Sequence, residues 1–202
     1  MATTTDYSAV LEFWFGHSPD DGVVIEQKSA LWWKASEATD RQIGARFGAL
    51  REAAVAGSIG HWKESPRSRL ALIILVDQFS RNLFRNDPRA IEHDRLAYSW
   101  CRDGLAIGEH LELRPVERVF YYLPLEHSEA IEDQERSVRL FGALAEDVPP
   151  NWRSAFANFV NFAVRHRDII ARFGRFPHRN AILGRASTPE EIEFLKQPGS
   201  SF

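Results

Sequence analysis

The sequence predicts an all-α fold, and three observations carry that prediction. Apolar residues recur at helical intervals, as in Ile43, Phe47, Leu50 and Ala54. Ser65-Pro66, Asp87-Pro88 and Thr188-Pro189 each place a capping side chain directly before a first-turn proline, which is a helix-start signature. No stretch keeps the alternation of period two that a half-buried strand needs. The expected architecture is a tetratricopeptide-repeat-like array of antiparallel helical hairpins with about eight or nine helices. One domain over residues 1–202 is expected, with a loose tail from about 198.

The chain supports this element by element. Tyr7 to Phe15 is expected as the first helix, with Asp6 or Thr5 as its cap and Gly16 as its stop. The stretch on to Gln27 reads as a polar loop, followed by the apolar Leu31, Trp32 and Trp33. Ser36 or Thr39 then opens a helix that ends at Gly57. Ser65-Pro66 launches Arg69 to Phe79, apolar on nearly every face and therefore a central helix. A buried strand would be equally aliphatic, but the cap and the length of the run favour helix.

Asp87-Pro88 is expected to start a helix running to about Gly104, with Ala90, Asp94, Ala97, Cys101 and Leu105 on one stripe. Arg114-Pro115 begins another, from Val116 to Leu123, which Pro124 breaks or kinks. Ser128 is the expected cap of the next, which Pro149-Pro150 closes. Asn151 to Phe173 is the longest, roughly 35 Å, with His166 among its core positions. Gly174 and Phe176-Pro177 turn the chain out of that helix, and Thr188-Pro189-Glu190-Glu191 is a capping box for a short helix through Lys196.

Composition limits the function. A chain of 202 residues buries roughly 70% of its unfolded surface, enough for a substantial core. The single cysteine, Cys101, forms no internal disulfide, and MATTTDYS lacks the basic start and apolar run of a signal peptide, so a cytoplasmic protein is expected. The longest aliphatic run, Leu70 to Val76, is far short of the roughly 20 residues of a bilayer helix. A net charge of -3 disfavours nucleic acid as a partner. Any polyanion site must be local.

Three constellations carry the candidate chemistry. Asp77-Gln78 with Arg81-Asn82 ends the aliphatic helix, where an ionised carboxylate needs a cation, and Arg81 lies one turn on. The bland reading is a salt bridge; the functional one is a polar cleft floor. Leu125-Glu126-His127-Ser128-Glu129, followed by Glu132, Asp133 and Glu135, is acidic and complements the Arg-rich stretch from His166 to Arg185. The bland reading here is an ion-pair network docking the C-terminal segment. Metal binding through His127, Glu126 or Glu129 and His166 or His178 is the sharper one, but HExxH, CxxC pairs and DxDxDG are all missing, so no metal and no cofactor is assigned. The third constellation is the Arg-rich stretch itself, with Arg167, Arg172, Arg175, Arg179, Arg185, His166 and His178. Guanidinium clusters hold phosphate or carboxylate bidentately, and a short helix expected to begin near Asn180 would add N–H donors. A histidine on an apolar stripe, such as His166, is more often a core residue. Cys101 likewise reads as a small core residue.

VLEFWFG at 10–16, LALIILVDQFSRNLFRN at 70–86, PLEHSE at 124–129, DQERSV at 133–138 and IIARFGRFPHRNAILGRASTPEE at 169–191 resemble the bacterial family called domain of unknown function 924. The resemblance covers nearly the whole chain and implies an all-helical fold similar to tetratricopeptide-repeat proteins, without an established activity. Ser80 departs from it, standing where the family's pattern places proline after DQF, which implies a softer bend after Phe79.

The leading expectation is therefore a helical protein whose polar cleft, built from Asp77, Arg81, His127, His166, Arg175, His178 and Arg179, binds a small anionic ligand or an acidic peptide end. One alternative is a hydrolase-like enzyme with His127 or His178 as general base, oriented by Asp77 or Glu126. A second is a purely structural ion-pair network with a protein-interaction role.

Overall fold

The structure is a computed structural model that describes residues 6–201. The described residues form helices α1 (Ser8–Phe15), α2 (Asp21–Trp33), α3 (Glu37–Val55), α4 (Pro66–Ile73), α5 (Phe79–Leu83), α6 (Asp94–Ala106), α7 (Pro115–Glu126), α8 (Ile131–Asp147), α9 (Arg153–Phe173) and α10 (Pro189–Leu195), and no strand. Helices α4 and α5 join through a π turn, Ile74–Gln78, into one rod over 66–83. The protein is thus all-α, and its consecutive helices pack across short connections, α7 on α8 and α8 on α9.

Several starts are as the sequence indicates. Ser36, Ser65 and Thr188 side chains accept from the backbone N–H groups of Thr39, Ser68 and Glu191, satisfying donors that a helix start leaves open. Asp6 accepts from Ser8 N–H at 2.8 Å, whereas Thr5 lies outside the described residues. Other boundaries differ. The stretch up to Gln27 is helical from Asp21, because Asp20 caps it and Gly22 makes room for Trp152, whose indole lies 2.6 Å from where a Cβ would stand. Asp87-Pro88 starts only the short 3-10 turn Pro88–Ala90; the α-helix begins at Asp94. Pro124 does not end α7, which continues to Glu126, and no helix begins at Asn180, where only the 3-10 turn Pro177–Arg179 forms.

The rod 66–83 is the centre of the core. Leu70 to Val76 and Phe79 are shut off from solvent, and α1, α3, α6 and α7 surround them. Trp14 packs edge-on to Phe79 and to Phe120, each at 5.4 Å between centroids. The end of α7 is tied by Gln134 of α8, whose Nε2 donates to the carbonyls of Glu126 and Ser128 at 2.7 and 2.6 Å. Ser128 also organises the entry to α8, accepting from Ala130 N–H and donating to Asp133.

A second, smaller apolar cluster of Ile169, Ile170 and Phe176, flanked by Ile131, Phe173 and Phe194, seats the segment after α9 against the 127–130 elbow. Gly174, in the left-handed conformation at φ 66, makes that reversal. Beyond α10, Arg165 donates to the Gly199 carbonyl, and Ser200 donates to the Leu195 carbonyl and is buried.

Candidate functional site

The π turn decides where the site is. One extra residue in the turn makes Phe79 N–H reach back five residues to the Ile74 carbonyl, and π turns of this kind often sit at functional positions. Asp77, on that turn, is completely buried. Its Oδ1 lies 2.7 Å from His127 Nδ1 at the end of α7 and 3.1 Å from Arg81 Nη1, while Gln78 Nε2 donates to Oδ2 at 2.6 Å. Burial pushes this carboxyl up, but Arg81 and His127 outweigh it and hold Asp77 well below the usual carboxylate range. Arg81 is fully committed: it also donates to the Asp77 carbonyl and bidentately to Asp94 of α6, both at 2.9 Å.

Glu126 and His166 form the inner layer. Glu126 is 4% exposed and His166 5%, and Glu126 Oε1 lies 3.1 Å from His166 Nδ1, which also points at the Phe162 carbonyl at 2.8 Å. Burial, then the neighbouring Asp77, pushes Glu126 up to about 8, so it is protonated at neutral pH. Burial brings His166 down to about 3, which keeps its imidazole uncharged. Burial and Arg81 lower His127 too, against the pull of Asp77.

The C-terminal turn supplies the cations. Arg179 is 9% exposed, lies over the Phe176 ring at 4.5 Å, and donates from Nη1 to the His127 carbonyl at 2.9 Å. Its nearest carboxylate is Asp94, at 3.8 Å. Burial and Arg81 bring Arg179 down to about 10. His178 joins through Phe176, with ring centroids 5.5 Å apart, and burial and Arg179 bring it down to about 4.

Of the residues singled out from the sequence, Asp77, Arg81, Glu126, His127, His166, His178 and Arg179 come together, although they derive from four distant segments. Arg175 does not join them: it donates bidentately to Glu191 of α10 at 2.6 and 2.8 Å. Its place at the elbow is taken by Arg185, which grips Glu129 at 2.7 and 2.9 Å while Glu129 also accepts from Phe176 N–H. Asp94 was not legible as a site residue, because it stands on an otherwise apolar stripe. Among the described residues, no group of three or more His, Cys, Asp or Glu is arranged to hold a metal ion. Two surface clefts, of about 340 and 370 Å³, lie elsewhere, between α8 and α9 and beside Asp40 and Arg85.

Fold and site together define a class: an all-helical protein with a charged cluster of arginine, histidine and carboxylate buried where a π turn meets the C-terminal segment. The chain belongs to the family described as bacterial protein of unknown function (DUF924), whose profile matches residues 10–199. It is also similar to a solved structure, a protein of unknown function from Agrobacterium tumefaciens, at 34% identity and a TM-score of 0.79, with 94% of this chain and 96% of that one covered. No curated protein matches the chain. No helix among the described residues is long and apolar enough to cross a membrane.

Proposed function

We propose that the cluster is an anion site, in which Arg179 takes the carboxylate or phosphate group of a small ligand or of an acidic peptide end. The observation that carries this reading is the state of Arg179. Its guanidinium is nine-tenths buried and, among the described residues, hydrogen-bonds through Nη1 alone and has as its nearest carboxylate an Asp94 that Arg81 already engages twice. The fold therefore holds a cation under weak compensation, and an arriving anion offsets that cost. The hairpin arrangement is compatible with a tetratricopeptide-repeat-like array in a cytoplasmic protein, an architecture suited to binding.

Thermal melts with and without inorganic phosphate, at fixed ionic strength, test the reading. Phosphate is expected to stabilise the parent by about 3 kcal/mol at a hundredfold excess over Kd, and to leave Arg179→Ala unmoved. Arg175→Ala keeps the response, because Glu191 occupies that guanidinium. An anion-independent parent, together with steep loss of stability in Arg179→Ala, would instead favour a structural ion-pair network serving protein interaction.

A second reading rests on the Asp77–His127 contact of 2.7 Å. A neutral imidazole oriented at Nδ1 by a buried carboxylate has the arrangement of a general base, and Glu126, protonated at neutral pH, is an acid within the same cluster. Water would be its nucleophile in a hydrolase-like reaction, since burial pushes the Cys101 thiol above its usual range. Turnover of phosphate or carboxylate esters that disappears in His127→Gln supports this reading, and anion binding without turnover rejects it.

A further inference from the structure

The surroundings of three imidazoles decide what an anion on Arg179 brings with it. His127 is engaged at Nδ1 by Asp77, which leaves Nε2 as its basic nitrogen. Its backbone carbonyl accepts from Arg179 Nη1 at 2.9 Å, which holds the guanidinium beside the end of α7 that carries the imidazole. The His166 ring lies 6.5 Å from that of His127, and His178 approaches through Phe176. Charged and titratable groups face these rings from every packed element. They are Asp77 and Arg81 from the rod 66–83, Asp94 from α6, Glu126 from α7, Glu129 from the elbow, and Arg179 from the C-terminal turn.

We infer that the site takes up its anion together with a proton, which lodges on Nε2 of His127 between Asp77 and the incoming charge. This rests on the anion-site reading above and adds the charge state of the ligand. Burial comes first among the causes that keep the three imidazoles neutral, reinforced by Arg81 at His127, by Arg179 at His166 and by both at His178. An anion on Arg179 cancels part of that cationic field and adds its own charge in a water-poor setting, where it favours imidazolium strongly. His127 is the ring that gains most, because a carboxylate already braces its other nitrogen. His166 gains least, being turned at Nδ1 to the Phe162 carbonyl and more deeply buried.

The ligand class is then an acid in net terms: a hydrogen phosphate, a carboxylic acid, or a strong anion that arrives with a proton from solvent. Linkage is reciprocal, so lowering the pH tightens anion binding by the same factor that the anion raises proton affinity.

Sulfate is the suitable probe, since it takes up no proton itself near neutral pH. Calorimetric titration of the full chain with sulfate, in buffers of different ionisation enthalpy, is expected to show uptake of close to one proton per sulfate. Affinity should fall about tenfold per pH unit across the range in which the free imidazole is neutral and the sulfate-bound one is protonated. His127→Gln is expected to bind sulfate more weakly at neutral pH and to lose both the uptake and the slope. Sulfate binding without proton uptake in the parent overturns this inference and leaves the anion site standing; no sulfate binding at any pH overturns both. A measurement on the parent alone guards against a variant that fails to fold. Histidine side-chain nitrogen NMR at neutral pH should show one imidazole becoming imidazolium on addition of sulfate, and imidazoles that stay neutral refute the inference.

Discussion

Glu126→Gln should stabilise this protein, and the more so the higher the pH. Glu126 sits at 4% exposure, and burial, reinforced by the charge of Asp77, raises its carboxyl from an ordinary 4.5 to about 8. A folded state that holds the proton more tightly than the unfolded chain loses stability as pH rises between those two values, at about 1.4 kcal/mol per pH unit. By pH 7 that amounts to about 3 kcal/mol, levelling off above pH 8 at about 4–5 kcal/mol. Glutamine keeps the shape of the side chain and an oxygen for His166 Nδ1, and it has no proton to lose. His166 and His178 act in the opposite sense: brought down to about 3 and 4, they favour folding as pH rises toward their ordinary 6.5 and add nothing further above it. The difference between parent and variant cancels them. Urea unfolding at several pH values, read by linear extrapolation, should give a gap between Glu126→Gln and parent that opens by about 1 kcal/mol per pH unit from pH 5 to 8 and then stays constant. Parallel stability curves for parent and variant would refute the claim that the fold holds a protonated Glu126.

Two further changes probe how the site is held. Arg185→Ala removes both hydrogen bonds to Glu129, and with the pair about a quarter exposed the loss should be about 1–3 kcal/mol, seen as a lower urea midpoint at unchanged slope. Because Glu129 is held below its usual range, with Arg185 and Phe176 N–H outweighing burial, its contribution is present above about pH 5 and fades as pH falls through the carboxylate range. Gly104→Ala places a Cβ against the Tyr121 hydroxyl and Glu109 in the core, and it should cost about 1–3 kcal/mol or more, with Tyr121 displaced from its 2.7 Å hydrogen bond to Glu109. A variant as stable as the parent would mean that α6 and α7 have room to part.

The sequence by itself determined the elements and the kinds of group at the site. Spacing and caps are local, so Ser36, Ser65 and Thr188 mark their helices correctly, and the all-α class follows without knowledge of packing. Local signals misled where a tertiary neighbour took part. Gly22 looked like a loop residue and is a packing contact for Trp152, and Pro124 looked like a helix end yet lies within α7. The partners in the charged cluster were decided only by tertiary structure. Nothing local distinguishes Arg175 from Arg185, yet one faces α10 and the other grips Glu129, because the reversal at Gly174 and the burial of Phe176 fix the direction of each. The π turn is invisible in the apolar run Leu70 to Val76, since periodicity vanishes where every face is buried, and that turn carries Asp77 to His127. Charge state belongs to the fold in the same way: Glu126 keeps its proton only because α7, α9 and the π turn together exclude water and set Asp77 beside it.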